Sequence, residues 1–199
     1  MYSSGRGSQN QECCLYGSIL DSEEPLLVQR LQGLADPEVV SFHEHEMVLS
    51  LRTPEQPLRL RFRRSLDSKP ANCWHLRYIG YPEADPTKSS PTIVRKRIDS
   101  VLTSNDIMNF VRELGLRLDY EYVSRGHVYT KGRLKITVSK IYKMLKTGSP
   151  SEVQELSGSK LVELSLVLPD SENYIPAAKM VRDFGNQLKP IVNLEKTEY

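Results

Sequence analysis

The stretch LRLRFRRS (58–65) decides the fold. Leu58, Leu60 and Phe62 alternate with Arg59, Arg61 and Arg63, and a period of two sends one set to each face of an extended strand. The pattern recurs along the chain. Leu116, Leu118, Tyr120 and Tyr122 interleave with Arg117, Asp119 and Glu121, and Val162, Leu164, Leu166 and Leu168 interleave with Glu163 and Ser165. Met47, Leu49 and Leu51 mark a strand at 45–52, and Trp74, Leu76 and Tyr78 one at 74–80. Further strands are expected at 14–20, 93–101, 116–123, 127–131, 133–145 and 160–168. So many strands in 199 residues predict an α+β chain that is mainly β, an antiparallel barrel of about eight strands.

Three helices flank those strands. Leu27, Leu31 and Leu34 recur at helical spacing after Pro25, and Gly33, Asp36 and Pro37 end the run. Ile107, Phe110, Val111 and Leu114 mark a second helix, opened by the Thr103–Asp106 pair and stopped at Gly115. Ala177, Val181, Phe184 and Leu188 mark a third over 174–188, which Pro190 keeps from continuing. Arg125-Gly126 and Lys131-Gly132 read as turns. The phase slips after Val138, because Ile141 and Tyr142 are both apolar, and this predicts a bulge or a strong bend in the 133–145 strand. Residues 1–12 read as a disordered arm, 13–199 as one domain, and 83–91 and 147–159 as polar loops.

Composition narrows the function classes. Twenty-seven basic residues face 25 acidic ones, a net charge of +2, which makes no electrostatic case for direct nucleic-acid binding. Cys13, Cys14 and Cys73 are an odd number with two adjacent, a pattern of neither disulfide framework nor zinc site, and it suits a reducing compartment. No apolar run approaches the ~18 residues of a membrane-spanning helix.

Catalytic motifs are missing. His43-Glu44-His45-Glu46 lacks the spacing that puts two histidines on one helical face. On a strand the histidines share one face and the glutamates the other, as expected of a solvated strand start. Asp183-Phe184-Gly185 copies a kinase tripeptide, but Phe184 lies on the apolar stripe of its helix. No catalytic, cofactor or metal residue is assigned. The strongest remaining feature is basic. Arginines on alternate residues stand about 6.6–7 Å apart on one face, suited to polyphosphate or to an acidic peptide. If the apolar set fills the barrel, Arg59, Arg61, Arg63, His75 and Arg77 face outward as a candidate partner-binding set.

Longer segments carry a family resemblance. HEMVLSL (45–51), RFRRSLD (61–67), WHLRYIG (74–80) and VRKRIDSVLTSND (94–106) occur in order. FVRELGLRLDYEYVSRGHVYTKG (110–132), KLVELSLVLP (160–169) and DFGNQLKPIVNLEK (183–196) follow. Together they resemble the Mediator subunit 18 family, over nearly all of 14–196. The resemblance implies a non-enzymatic barrel subunit of the nuclear coactivator that serves RNA polymerase II. It implies pairing with the related barrel of Mediator subunit 20 and docking on the C-terminal helix of Mediator subunit 8. The competing expectation is a triphosphate-tunnel phosphohydrolase, another eight-stranded barrel family. Glu44, Glu46 and Glu163 dimly resemble its pattern, with Val48 where its lysine belongs.

Overall fold

The computed structural model describes residues 9–53, 57–67, 72–83 and 90–197. Strand β1 (Asn10–Leu20) leads through a single 3-10 turn into α1 (Glu24–Leu34), and β2 (Val39–Leu51), β3 (Leu58–Ser65), β4 (Cys73–Pro82) and β5 (Ile93–Thr103) follow. Helix α2 (Ile107–Glu113) precedes β6 (Arg117–Lys131), β7 (Leu134–Met144), the short β8 (Val153–Glu155) and β9 (Ser159–Pro169), and α3 (Tyr174–Gln187) comes last. The sheet runs β6-β2-β3-β4-β5-β1-β9-β7-β8, and an added β6–β7 pairing closes the eight long strands into an antiparallel barrel. Strand β8 is a hairpin extension on the far end of β7. All three expected helices form. Asp106 caps α2 by accepting from the Asn109 N–H at 3.0 Å, and Asn173 caps α3 through the Ile175 N–H.

The apolar strand faces point out of the barrel, under the helices. Leu27 and Leu31 of α1 and Val181 and Phe184 of α3 join Leu15, Ile136 and Leu164 of the wall in the larger cluster. Ile107 and Val111 of α2 join Met47, Leu49, Phe62 and Trp74 in the second. This reverses the expectation that leucines fill the barrel. A strand's two faces are equivalent to its own pattern; which one turns inward depends on what covers the other.

Several local readings change for identifiable reasons. Residues 116–131 were expected as two strands joined at Arg125-Gly126, yet β6 is continuous. A Cβ on Gly126 would stand 2.0 Å from the Val138 carbonyl oxygen, so this glycine permits close strand approach and makes no turn. Gly132, at φ +55°, does make the β6–β7 turn, and its N–H donates to the Asp36 carboxylate at 2.9 Å. The expected bulge after Val138 is absent, since β7 keeps one register with β6 from Leu134 to Lys143. The slip lies in β6: Val48 pairs with Tyr120 and Leu49 with Leu118, leaving Asp119 as the extra residue. That residue flips the phase, so Leu116 and Leu118 pack under α2 while Tyr120 and Tyr122 face the lumen.

Strand β1 begins at Asn10, so Gln11 and Glu12 of the expected arm belong to the barrel. Both are buried. Residues 1–8 of the arm and 84–89 of the 83–91 loop lie outside the described residues, and the 147–159 loop contains β8.

The wall arrangement sets a pair of expectations. Phe62, fully buried under α2, should cost about 3–5 kcal/mol as Phe62→Ala. Arg117→Ala, at an exposed position, should stay within about 0.5 kcal/mol of the parent. Denaturant midpoints of the two variants check this; equal losses would mean that the β3 phase is inverted.

Candidate functional site

The inward residues of β2, β3 and β6 place charge where a protein rarely keeps it. Glu44, Glu46 and Val48 alternate into the lumen beside Arg59, Arg61 and Arg63. Glu46, 2% exposed, accepts from Arg63 Nε at 3.0 Å and from Arg61 Nη1 at 3.2 Å. Arg63 also reaches Glu44 at 3.3 Å. Burial pushes the Glu46 carboxyl up, but Arg63 and then Arg61 outweigh it and hold it below the ordinary carboxylate value.

A second network joins β1, β4 and β5. Glu12, 1% exposed, binds Arg95 through Oε2 at 2.9 Å and Arg97 through Oε1 at 2.8 Å. Asp99 bridges Arg97 and Arg77, each at 2.6 Å. Burial again raises Glu12, and Arg95, Arg97 and Arg77 together bring it below its usual value. Asp99 is lowered as well, burial being outweighed by the arginine hydrogen bonds. The two carboxylates at the centres of these networks are therefore ionised and fully engaged.

A cavity of about 1300 Å³ runs along this inner face. Arg59, Arg61, Arg95 and Lys143 line it, together with the phenols of Tyr78, Tyr120, Tyr122 and Tyr142. The C-terminal segment closes part of one end. Tyr16 and Glu195 exchange both backbone hydrogen bonds, at 3.0 and 2.8 Å, and Thr197 reaches the cavity wall.

The expected candidate set is not assembled on an outer face. Arg61, Arg63 and Arg77 are drawn inward by Glu46, Glu44 and Asp99. Arg59 stays exposed at one end, and His75 at the start of β4 is exposed at the other. The outward reading fails because it assigned the lumen to leucine, whereas a closed barrel of charges needs internal counter-ions. The His43–Glu46 split does hold, with the glutamates inward. His45, however, is buried on the opposite face, 2.9 Å from Glu121 and edge-on to Trp74, so this stretch is not a solvated start.

Sequence reasoning missed Glu12, Arg95, Arg97 and Asp99. The signal was present in β5, where Arg95, Arg97 and Asp99 alternate and are marked by charge instead of by leucine. Among the described residues, no three of His, Cys, Asp and Glu group so as to hold a metal ion.

Comparison with known proteins identifies the lineage. The family model described as "Med18 protein" matches residues 11–199. The chain belongs to the Mediator subunit 18 family. The Caenorhabditis elegans Mediator of RNA polymerase II transcription subunit 18 is 45% identical over 198 residues, covering 96% of this chain and 84% of that protein. A chain in the structure of the Schizosaccharomyces pombe Mediator head module superposes with a TM-score of 0.73 at 17% identity, covering 94% of this chain and 98% of that one. The RNA triphosphatase domain of a mimivirus mRNA capping enzyme shares the fold at TM-score 0.52 and 12% identity, covering 96% and 92%. At that identity the likeness is one of architecture alone. In the barrel of this chain the lumen glutamates are bound to arginine.

Two outcomes follow from the lumen. Reversing Arg61 and Arg63 to Glu would set like charges beside Glu46 and Glu44 and leave a buried carboxylate uncompensated, at a cost of about 3–5 kcal/mol or more. Loss of the cooperative thermal transition is expected; an unchanged melt would place the row outside the barrel. The second outcome concerns pH. Glu12, Glu46 and Asp99 titrate below their unfolded values, so their stabilisation is complete above about pH 4.5 and is lost as pH falls through the depressed folded values. Melting midpoints should hold from neutrality to about pH 5 and then drop steeply, with a shallower drop in Glu46→Gln.

Proposed function

We propose that this chain is a non-catalytic scaffold subunit of the Mediator coactivator, acting in the nucleus in transcription by RNA polymerase II. The observation that carries this reading is the internal neutralisation of Glu46 and Glu44 by Arg61 and Arg63 in a chain matched almost end to end by the family. Metal-assisted phosphoryl transfer needs carboxylates free to ligate a hard cation. Here they are held by guanidinium groups, and apolar Val48 occupies the next inward position. The lumen then acts as a rigid internal frame.

Binding to other subunits falls to the outer surface. Large apolar side chains stay exposed on the helices that cover the wall: Leu26 on α1, and Ile175 and Met180 on α3. A shallow groove of about 410 Å³ lies beside α1, lined by Leu26, Arg30, Leu34 and Ile191. Exposed apolar surface of this kind favours protein contacts. The barrel of Mediator subunit 20 and the C-terminal helix of Mediator subunit 8 are the partners we assign to it. Within the basic row, Arg59 and His75 are exposed, and charge there would act mainly on encounter rate and specificity.

Affinity purification of the tagged chain from nuclear extract tests the proposal. Subunit 20, subunit 8 and further Mediator subunits should co-purify in comparable amounts. Recovery of the chain by itself, with triphosphatase activity abolished by Glu46→Ala, would overturn it.

A further inference from the structure

The ion pairs of the lumen leave a residue of positive charge at one end. Around the wall, Arg63, Glu46, Tyr122 and Lys143 are successive partners across β3, β2, β6 and β7, and Arg61, Val48 and Tyr120 form the row above. Glu46 and Glu44 are bound by arginine. Glu121, also at the cavity wall, is engaged by His45 and by the Gly148 N–H at 2.7 Å. Arg95 is held by Glu12. Arg59 and Lys143 have no carboxylate within ion-pair distance among the described residues, and both line the cavity. Glu163 also lines it, and burial-depressed Lys135 stands in its field.

The cations on this end come from facing parts of the wall. Arg59 and Arg61 lie on β3, and Lys143 lies three strands away on β7, about 14 Å around the wall at ~4.8 Å per strand. Between them stand Tyr120 and Tyr122, stacked with ring centres 6.3 Å apart, and Tyr78 and Tyr142 add phenols to the same cavity. Guanidinium, ammonium and phenol groups converging on one space are donors toward an anion with many oxygens. An eight-stranded barrel admits side chains or one small ligand, so a helix or folded peptide does not fit inside. A cavity of about 1300 Å³ does accept an extended polyanion of small cross-section.

We propose that this end of the lumen binds a short phosphate chain, free or as the tail of a nucleotide, without cleaving it. Arg59, Arg61 and Lys143 grip the phosphoryl oxygens, and the hydroxyls of Tyr78 and Tyr120 complete the hydrogen bonds, the Tyr122 hydroxyl being already bonded to Glu46. Cleavage is not part of the site, because the carboxylates that would bring a divalent cation to those oxygens are occupied by arginine. The proposal concerns a ligand site and stands apart from subunit pairing, so it fails or holds independently of the scaffold reading.

Calorimetric titration of the full-length chain with tripolyphosphate, ATP, orthophosphate and poly-glutamate in about 50 mM salt is the test, with released orthophosphate assayed in parallel. Tripolyphosphate should bind at least about tenfold more tightly than orthophosphate and raise the melting midpoint. Arg59→Gln and Lys143→Gln should each weaken it by about tenfold, and Lys179→Gln, exposed on α3 outside the barrel, should leave it unchanged. Arg59 is exposed, so its variant keeps the test valid even if Lys143→Gln unfolds. ATP binding more tightly than tripolyphosphate identifies a nucleotide tail; the reverse order identifies a free chain. Absence of heat and of a melting shift, insensitivity to both substitutions, tighter binding of poly-glutamate, or release of orthophosphate above blank would each overturn the proposal.

Discussion

Everything in this fold depends on two carboxylates that cannot reach water. Glu46 and Glu12 are 2% and 1% exposed, and each would be intolerable there without its arginines. Removing an ion from water costs several kcal/mol, and mutual attraction recovers that only with close geometry and saturated hydrogen bonds. Each glutamate meets the condition with two guanidinium groups. The geometry in turn requires closure. Arg63 and Glu46 sit on adjacent strands, Glu12 needs Arg95 and Arg97 from β5, and the ring is complete only when β6 meets β7. A sheet opened at any of these seams would expose charges that the closed barrel matches.

A lumen that holds these ion-pair networks displaces most of the hydrophobic core to the outside. The apolar faces of the strands then need cover, and α1, α2 and α3 supply it. The larger cluster is formed with α1 and α3, and the smaller with the seven-residue α2. This division has a mechanical consequence. Helices on an outer wall can present their far sides to other proteins while their near sides hold the barrel together. Exposed Leu26, Ile175 and Met180 are residues of that kind. A barrel with an apolar interior would have no comparable need for helices, and its outer face would be polar.

The barrel of about eight strands, the helix positions and most of the alternation along each strand were legible from periodicity. Leu58–Ser65 and the α3 stripe appear as their spacing implies. Which face turns inward was not legible, because Leu60 and Arg61 obey the same period and only the covering helices decide between them. The bulge at Asp119 was hidden for a related reason: Leu118 and Tyr120 are both apolar enough for a core, so the phase flip leaves no mark in hydropathy. Glu12 was read as part of a polar arm because its partners, Arg95 and Arg97, are more than eighty residues away. Gly126 was read as a turn because close approach to Val138 depends on a strand that follows it in sequence. The misses share one cause: long-range pairing decides what local pattern leaves open.

The same pairing decides what the charges inside this barrel are free to do. In a catalytic barrel, inward carboxylates must hold a metal ion and inward cations must hold substrate, so each must remain free of the other. In this chain, register brings Glu46 directly opposite Arg63 and beside Arg61, and Glu44 within 3.3 Å of Arg63. That charge holds the wall together. Apolar Val48 takes the next inward position of that strand, with Tyr120 as its neighbour on β6. The architecture keeps its eight strands and its polar interior, because the ion pairs now supply the cohesion. At one end Arg59 and Lys143, with no carboxylate in ion-pair distance among the described residues, retain the freedom to meet an anion from solution.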